Sequence, residues 1–181
     1  MTQEIIMTGS DIDRSLDRIS LEILERNHGV EELAIIGIHT GGVFLAERIH
    51  REIELREQCD LPAGHLDITL YRDDWSLISQ NPIVRKTDID FLVEDRRIVL
   101  VDDVIFTGRT VRAAMDAIMD YGRPRCIQLA VLVDRGGREL PIQPDYVGMT
   151  VRTAPGERVD VLLREKGDRE EVVLYDSESV A

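Results

Sequence analysis

The chain has 181 residues, with 35 Asp and Glu against 22 Lys and Arg, and a formal charge of -13. That length suits one domain with a sizeable core, and a hydrophobic share of 43% excludes wholesale disorder. So acidic a chain is a poor generic binder of nucleic acid, and no apolar run approaches the roughly 20 residues that cross a bilayer.

Residues 1–6 lack a basic stretch leading into an apolar one, so no secretory signal is expected and the cytoplasm is the expected compartment. Cys59 and Cys126 stand far apart, in no metal-ligand spacing, and read as buried or incidental thiols. Thr8 or Ser10 can cap a first helix, with Asp11 or Asp13 completing a capping box. Ile12, Leu16, Ile19 and Ile23 then recur at helical spacing, and Asn27-His28-Gly29 ends the helix. Residues 33–38 form a short apolar run closed by His39-Thr40-Gly41-Gly42, which predicts a buried strand and a glycine turn. A helix follows from Val43 to about Gln58, with Phe44, Leu45, Ala46, Ile49 and Ile53 facing inward. Residues 66–71 alternate with period two and predict a strand. Residues 72–90 are polar, include Pro82 and form one long connection, of the kind that is usually functional or mobile.

Residues 97–102 are the clearest buried strand. Thr107-Gly108-Arg109-Thr110 turns it into a helix carrying Val111, Ala114, Met115 and Ile118, ended by Gly122 and Pro124. Residues 127–133 predict another buried strand, and three shorter ones follow at 147–149, 159–163 and 172–175. Strands alternating with helices, each strand continuously apolar, predict an α/β fold with a doubly wound, mainly parallel sheet. Residues 1–181 form a single domain in this reading.

The strongest chemical signal is the segment from Ile98 to Thr110. Asp102 and Asp103 stand at the carboxyl end of a buried strand, where open α/β sheets bind ligands. The turn that follows exposes backbone N–H groups at a helix N-terminus, and Thr107 and Thr110 add hydroxyls, which suits a phosphate. The carboxylates repel phosphate and suit a neutral polyol, or a divalent cation bridging to other phosphates. A ribose 5-phosphate satisfies both demands.

This segment resembles the phosphoribosyl pyrophosphate (PRPP) signature of the type I phosphoribosyltransferases. Leu70-Tyr71-Arg72-Asp73-Asp74, the run from Gly108 to Asp116 and the run from Leu132 to Ile142 are further similar to the PyrR family, pyrimidine operon regulators that are also uracil phosphoribosyltransferases. The likeness runs from about Thr8 to about Tyr175. It implies the type I phosphoribosyltransferase fold with a small hood and a mobile loop at about 72–90. It implies a transferase that makes UMP and pyrophosphate from uracil and PRPP, with Mg2+ arriving with PRPP. The catalytic residues are then Asp102, Asp103, Arg72 and Arg85, with Lys86 a further cation of the loop and Trp75 its lone tryptophan. The 5-phosphate falls to Val104, Phe106, Thr107, Gly108, Arg109 and Thr110. The pyrophosphate loop is His39, Thr40, Gly41 and Gly42. Better-known PyrR proteins carry a basic residue at 39 and arginine at 41, so Gly41 removes a cation near the leaving group.

The resemblance places the base beside Phe106, Val133, Asp134 and Arg135, with Asp134 reaching the metal through water. Purine enzymes of the superfamily carry an acid at position 106, whereas Phe106 offers a flat apolar face to a pyrimidine. Some PyrR proteins bind operon RNA under control of a uridine nucleotide, UMP or UTP. The matching surface is Arg14, Arg18 and Arg26 with Arg138. Leu21 and Gly137 occupy places where RNA-binding members carry histidines, and the stripe also reads as a solvated face laced by pairs such as Arg18 with Glu22. RNA is therefore the less favoured partner, and a homodimer or higher homo-oligomer is expected by analogy. The alternatives are a purine phosphoribosyltransferase and an RNA-binding regulator with vestigial catalysis.

Overall fold

The structure, a computed structural model, describes residues 3–74 and 85–176. Helix α1 (Gly9–Asn27) starts at the box its sequence encodes. The Thr8 hydroxyl accepts from the Asp11 N–H at 3.3 Å, and the Asp11 carboxylate accepts from the Thr8 N–H at 2.9 Å. Ile12, Leu16, Ile19 and Ile23 are all buried on one face. A strand that periodicity does not reveal, β1 (Gln3–Thr8), precedes the helix. Only Met7 of its six residues is buried, so it carries almost no apolar signature.

The central sheet contains β2 (Leu33–Ile38), β3 (Ala63–Leu66), β4 (Arg97–Ile105), β5 (Cys126–Asp134) and β6 (Tyr146–Thr150). Its order is β3-β2-β4-β5-β6, and every neighbouring pair is parallel. All six residues of β2 are buried, as a strand covered on both faces requires. Alternate side chains serve opposite faces. Ile35, Val99 and Val101 join the core with Ile19 of α1 and with Leu45 and Ile49 of α2 (Gly41–Glu57). Ala34, Ile36 and Leu100 face Val111, Ala114 and Ile118 of α3 (Arg109–Met119). The sheet is doubly wound.

Residues 66–71 are not the predicted strand. β3 ends at Leu66, and Thr69–Tyr71 form a turn of 3-10 helix. The cause is Asp67, whose carboxylate accepts from the Thr69 N–H at 2.8 Å and hydroxyl at 2.5 Å and folds the chain back before alternation can extend.

The second sheet is the small hood: β7 (Arg158–Leu162), β8 (Glu171–Tyr175) and β1, antiparallel in the order β1-β8-β7. Met7, Val159, Val161 and Val172 share one core cluster with Leu16 and Leu45, which fixes the hood over α1 and α2. Both cysteines are free; Cys59 is half-buried and Cys126 exposed. Among the described residues no helix is long and apolar enough to cross a membrane.

Candidate active site

The chain winds from β2 outward to β3, then returns to place β4 on the other side of β2. The carboxyl ends of β2 and β4 therefore open on one crevice, at the switch point of the sheet. A cleft of about 400 Å3 lies there, lined by His39, Thr40, Gly41, Asp67, Thr69, Arg72, Arg85, Asp102, Asp103, Val104, Thr110 and Lys166. A larger hollow of about 520 Å3 lies beside α1 and α2 and contains none of the motif residues except Arg14.

Asp102 is 6% exposed. Burial pushes its carboxyl well above the usual range, and the neighbouring Asp103 charge pushes the same way. Its Oδ1 accepts from the Asp103 N–H at 2.9 Å, and Asp103 Oδ1 accepts from the Val104 N–H at 2.8 Å. Neither carboxylate forms an ion pair among the described residues. Across the crevice, β2 ends in a cis His39–Thr40 peptide, and α2 begins at Gly41. A Cβ at Gly41 would fall 1.9 Å from Asp103 Oδ2, so the pyrophosphate-loop position and the acid pair are in direct contact.

The Thr107–Thr110 turn leads into α3 through Gly108, which adopts a φ of 90° and itself provides no side-chain cap. The Arg109 N–H donates to the Thr107 hydroxyl at 3.3 Å, and the other N–H groups that open the helix are the donors a phosphate needs. The Arg109 side chain turns away to Glu139 at 2.6 Å and Asp73 at 2.7 Å, so its backbone rather than its charge faces the turn.

Arg72 and Arg85 come from the two ends of the long connection and meet in the cleft. Asp67 ties these ends together: one oxygen holds Thr69, the other accepts from the Arg85 N–H, and the Asp67 N–H donates to Thr87 Oγ1 at 3.0 Å. Burial acts upward on the Asp67 carboxyl, but these hydrogen bonds outweigh it and hold the group below its usual range. Arg72 is itself paired with Asp74 at 2.7 Å. Lys86 points to Asp88 on the surface, and Trp75 lies outside the described residues.

The predicted base-binding residues are not among those that line the cleft: Phe106, just beyond β4, is 44% exposed, with the Arg135 guanidinium 4.0 Å from its ring centre. Arg135 is held by the Glu157 carbonyl at 2.7 Å and Thr153 Oγ1 at 3.2 Å. The Val133 side chain is wholly in the core, so only its backbone can face a ligand. Asp134 accepts from the Gly136 N–H at 2.9 Å and from Arg138 at 2.7 Å. Burial raises the Asp134 carboxyl, and these two donors more than reverse it.

The four basic residues of the RNA surface do not form one free patch. Arg138 also donates to the carbonyls of Phe106 and Ile142, and its side chain is only 13% exposed. Arg18 holds the carbonyls of Val147 and Gly148 besides Glu22, and Arg26 pairs with Asp145. Arg14 is 78% exposed and pairs with Asp11 at 3.8 Å. Three polar cleft residues, Asp67, Thr69 and Lys166, escaped the sequence reading. Asp67 occupied a polar position of an apparent strand, with an Asp-x-Thr spacing as its only signal, and Lys166 lies far from any motif.

Residues 3–164 match the family model described as Phosphoribosyl transferase domain. The chain is 54% identical to the Bifunctional protein PyrR of Deinococcus radiodurans, over 97% of this chain and 96% of that one. It is 56% identical to the protein of the same name from Caldicellulosiruptor saccharolyticus, over 93% of each. The chain belongs to the PyrR family of phosphoribosyltransferases. Two solved structures share the fold of this PyrR chain. The hypoxanthine phosphoribosyltransferase of Trypanosoma cruzi has a TM-score of 0.71 at 17% identity, covering 97% of both chains. The hypoxanthine-guanine phosphoribosyltransferase of Bacillus anthracis has a TM-score of 0.69 at 18% identity, covering 96% of this chain and 98% of that one. At such identities these purine enzymes speak for the architecture of PyrR and not for its base.

Proposed function

We propose that the protein transfers the 5-phosphoribosyl group of PRPP to uracil, giving UMP and pyrophosphate. The observation that carries this reading is the strand end itself: an acid pair without an ion-pair partner, Asp102 of it buried, the Thr107–Thr110 turn that opens α3, and Phe106 between them in place of an acid. In this reading the turn holds the 5-phosphate through backbone N–H groups of residues 107–110 and the threonine hydroxyls. Asp102 and Asp103 accept the ribose hydroxyls. Arg72 and Arg85, with the His39–Gly42 loop, balance the charge of the departing pyrophosphate. Phe106 and Arg135 receive the base, and the backbone of Gly136 and Gly137 meets its polar edge.

The acid pair fits a divalent cation, because a cation relieves the repulsion that burial imposes on Asp102. Among the described residues no three metal-ligating side chains gather at one point, so the remaining ligands come from PRPP and water. Mg2+ supplies neutralisation of the pyrophosphate charge when bound; Asp102 and Asp103 would hold it, and Asp134, already engaged by Gly136 and Arg138, would reach it through water.

Incubation with PRPP, Mg2+ and uracil should yield UMP, with hypoxanthine and guanine converted far more slowly. Purine nucleotide formation without UMP would reverse the assignment of the base. The bifunctional relatives favour a second activity, RNA binding controlled by UMP or UTP, with Arg14 as the most exposed of its four arginines. That activity should appear as nucleotide-dependent binding of pyrimidine leader RNA that weakens with salt, even though each of the four arginines already has a partner in the protein.

A further inference from the structure

We propose that Lys166, on the hood, is a further substrate-binding residue that contacts the pyrophosphate group of the donor. This rests on the phosphoribosyl-transfer reading above. Lys166 lines the same cleft as Gly41, Asp102, Asp103 and Val104. It sits on the turn between β7 and β8, where its N–H donates to the Leu163 carbonyl at 2.9 Å.

Helix α2 fixes that turn from below. Arg48, with a side chain 12% exposed, grips Glu165 through two bonds of 2.9 and 2.8 Å and reaches Glu170 at 2.5 Å. The ammonium of Lys166 stands 5.9 Å from the centre of the Phe44 ring, also on α2. The helix that opens with the pyrophosphate-loop glycines thus also positions the lysine above them. Among the described residues the Lys166 ammonium makes no hydrogen bond or ion pair, whereas Arg72 in the same cleft is engaged by Asp74.

The opposite wall needs such a charge. No side chain at position 41 can enter the cleft without displacing Asp103, whose carboxylate fills that space. Two carboxylates that line the same cleft as Lys166 repel an incoming diphosphate. A cation on the hood, opposite the loop, offsets that repulsion where the diphosphate must lie.

Calorimetry with Mg-pyrophosphate, PRPP and ribose 5-phosphate on Lys166→Met and Lys166→Arg tests this. Lys166 is exposed, so both variants should melt like the wild type. Lys166→Met should weaken pyrophosphate and PRPP by about tenfold, the loss of one charge-assisted hydrogen bond. Lys166→Arg should recover most of that loss, and ribose 5-phosphate, which lacks the diphosphate, should bind all three proteins alike. Equal pyrophosphate affinity in wild type and Lys166→Met overturns the role of Lys166 and leaves the transferase reading standing. Equal weakening of all three ligands also overturns it, because Lys166 then shapes the cleft as a whole. A wild type that binds neither pyrophosphate nor PRPP overturns the transferase reading, and this inference with it.

Discussion

Asp67 and Asp102 line one cleft, are 9% and 6% exposed, and titrate in opposite directions. Burial acts upward on both. Around Asp67 it is outweighed by donors from Thr69 and Arg85, and the imidazole of His39 adds to them. Around Asp102 it is reinforced by Asp103, with only the Asp103 N–H and the field of Lys166 against it. The first carboxylate is spent on the protein's own loop, and the second, in the function proposed above, serves the ligand. Two carboxylates of similar exposure are thus pushed in opposite directions, Asp67 down by its donors and Asp102 up by deeper burial and a like charge.

The largest effect should come from breaking the functional member. Asp102→Asn and Asp103→Asn should each cut turnover by roughly a hundredfold to a thousandfold, as loss of a preorganised electrostatic group does. Stability should move the other way for Asp102→Asn. A raised carboxyl stabilises the fold fully below the unfolded pKa, and that stability is lost as pH rises through the folded value. The amide escapes this loss, so metal-free Asp102→Asn should be more stable than wild type at neutral pH by about 0.5–2 kcal/mol. The gain should fade on acidification, as wild-type Asp102 takes up its proton. Melting curves at neutral and acid pH read both signs; a variant that is inactive and less stable at neutral pH would mean that Asp102 also holds the fold.

Asp67 should give the mirror image. Its contribution is full above the unfolded pKa and is lost as pH falls through the folded, lowered value. Asp67→Ala leaves the N–H groups of Thr69 and Arg85 without their acceptor and should cost about 3 kcal/mol at neutral pH. Asp67→Asn keeps one acceptor oxygen and should recover part of it. Because Arg72 and Arg85 flank this junction, KM for PRPP should rise more than kcat falls. Unchanged stability in Asp67→Ala would erase the contrast with Asp102.

The two acids also mark what sequence can carry. Asp102 was legible because a continuous apolar run ends on it and a small-residue turn follows within a few positions. The helical period of Ile12, Leu16, Ile19 and Ile23 and the glycine turn after β2 were equally local. Asp67 was hidden because its position matched an alternating strand, and a side chain folding onto its own backbone overrode the pattern. Arg18 shows both cases at once: its bond to Glu22 at 3.1 Å follows from i,i+4 spacing, whereas its bonds to Val147 and Gly148 cross some 130 positions. The clamp of Arg48 on Glu165 joins residues 117 apart and leaves no local trace, which is why the hood lysine beside it was invisible.

The smallest effect should come from Gly41, where the ligand-facing acid meets the loop. The new Cβ of Gly41→Ala would fall 1.9 Å from Asp103 Oδ2, the free end of a side chain that can swing aside. Gly41 is buried, but the atoms that must give way all belong to the Asp103 side chain, so the cost to the fold should stay at about 1 kcal/mol. The swung carboxylate no longer stands where ribose and cation need it, so KM for PRPP should rise several-fold. Gly42→Ala is the control. There the Cβ would fall 2.3 Å from the Val101 carbonyl and 3.0 Å from Asp102 Cα, and backbone cannot swing. That variant should lose about 1–3 kcal/mol of stability through overpacking. Equal loss of stability in the two variants would show that Asp103 is locked in place like the backbone beneath Asp102, and the freedom assigned to the functional pair would be withdrawn.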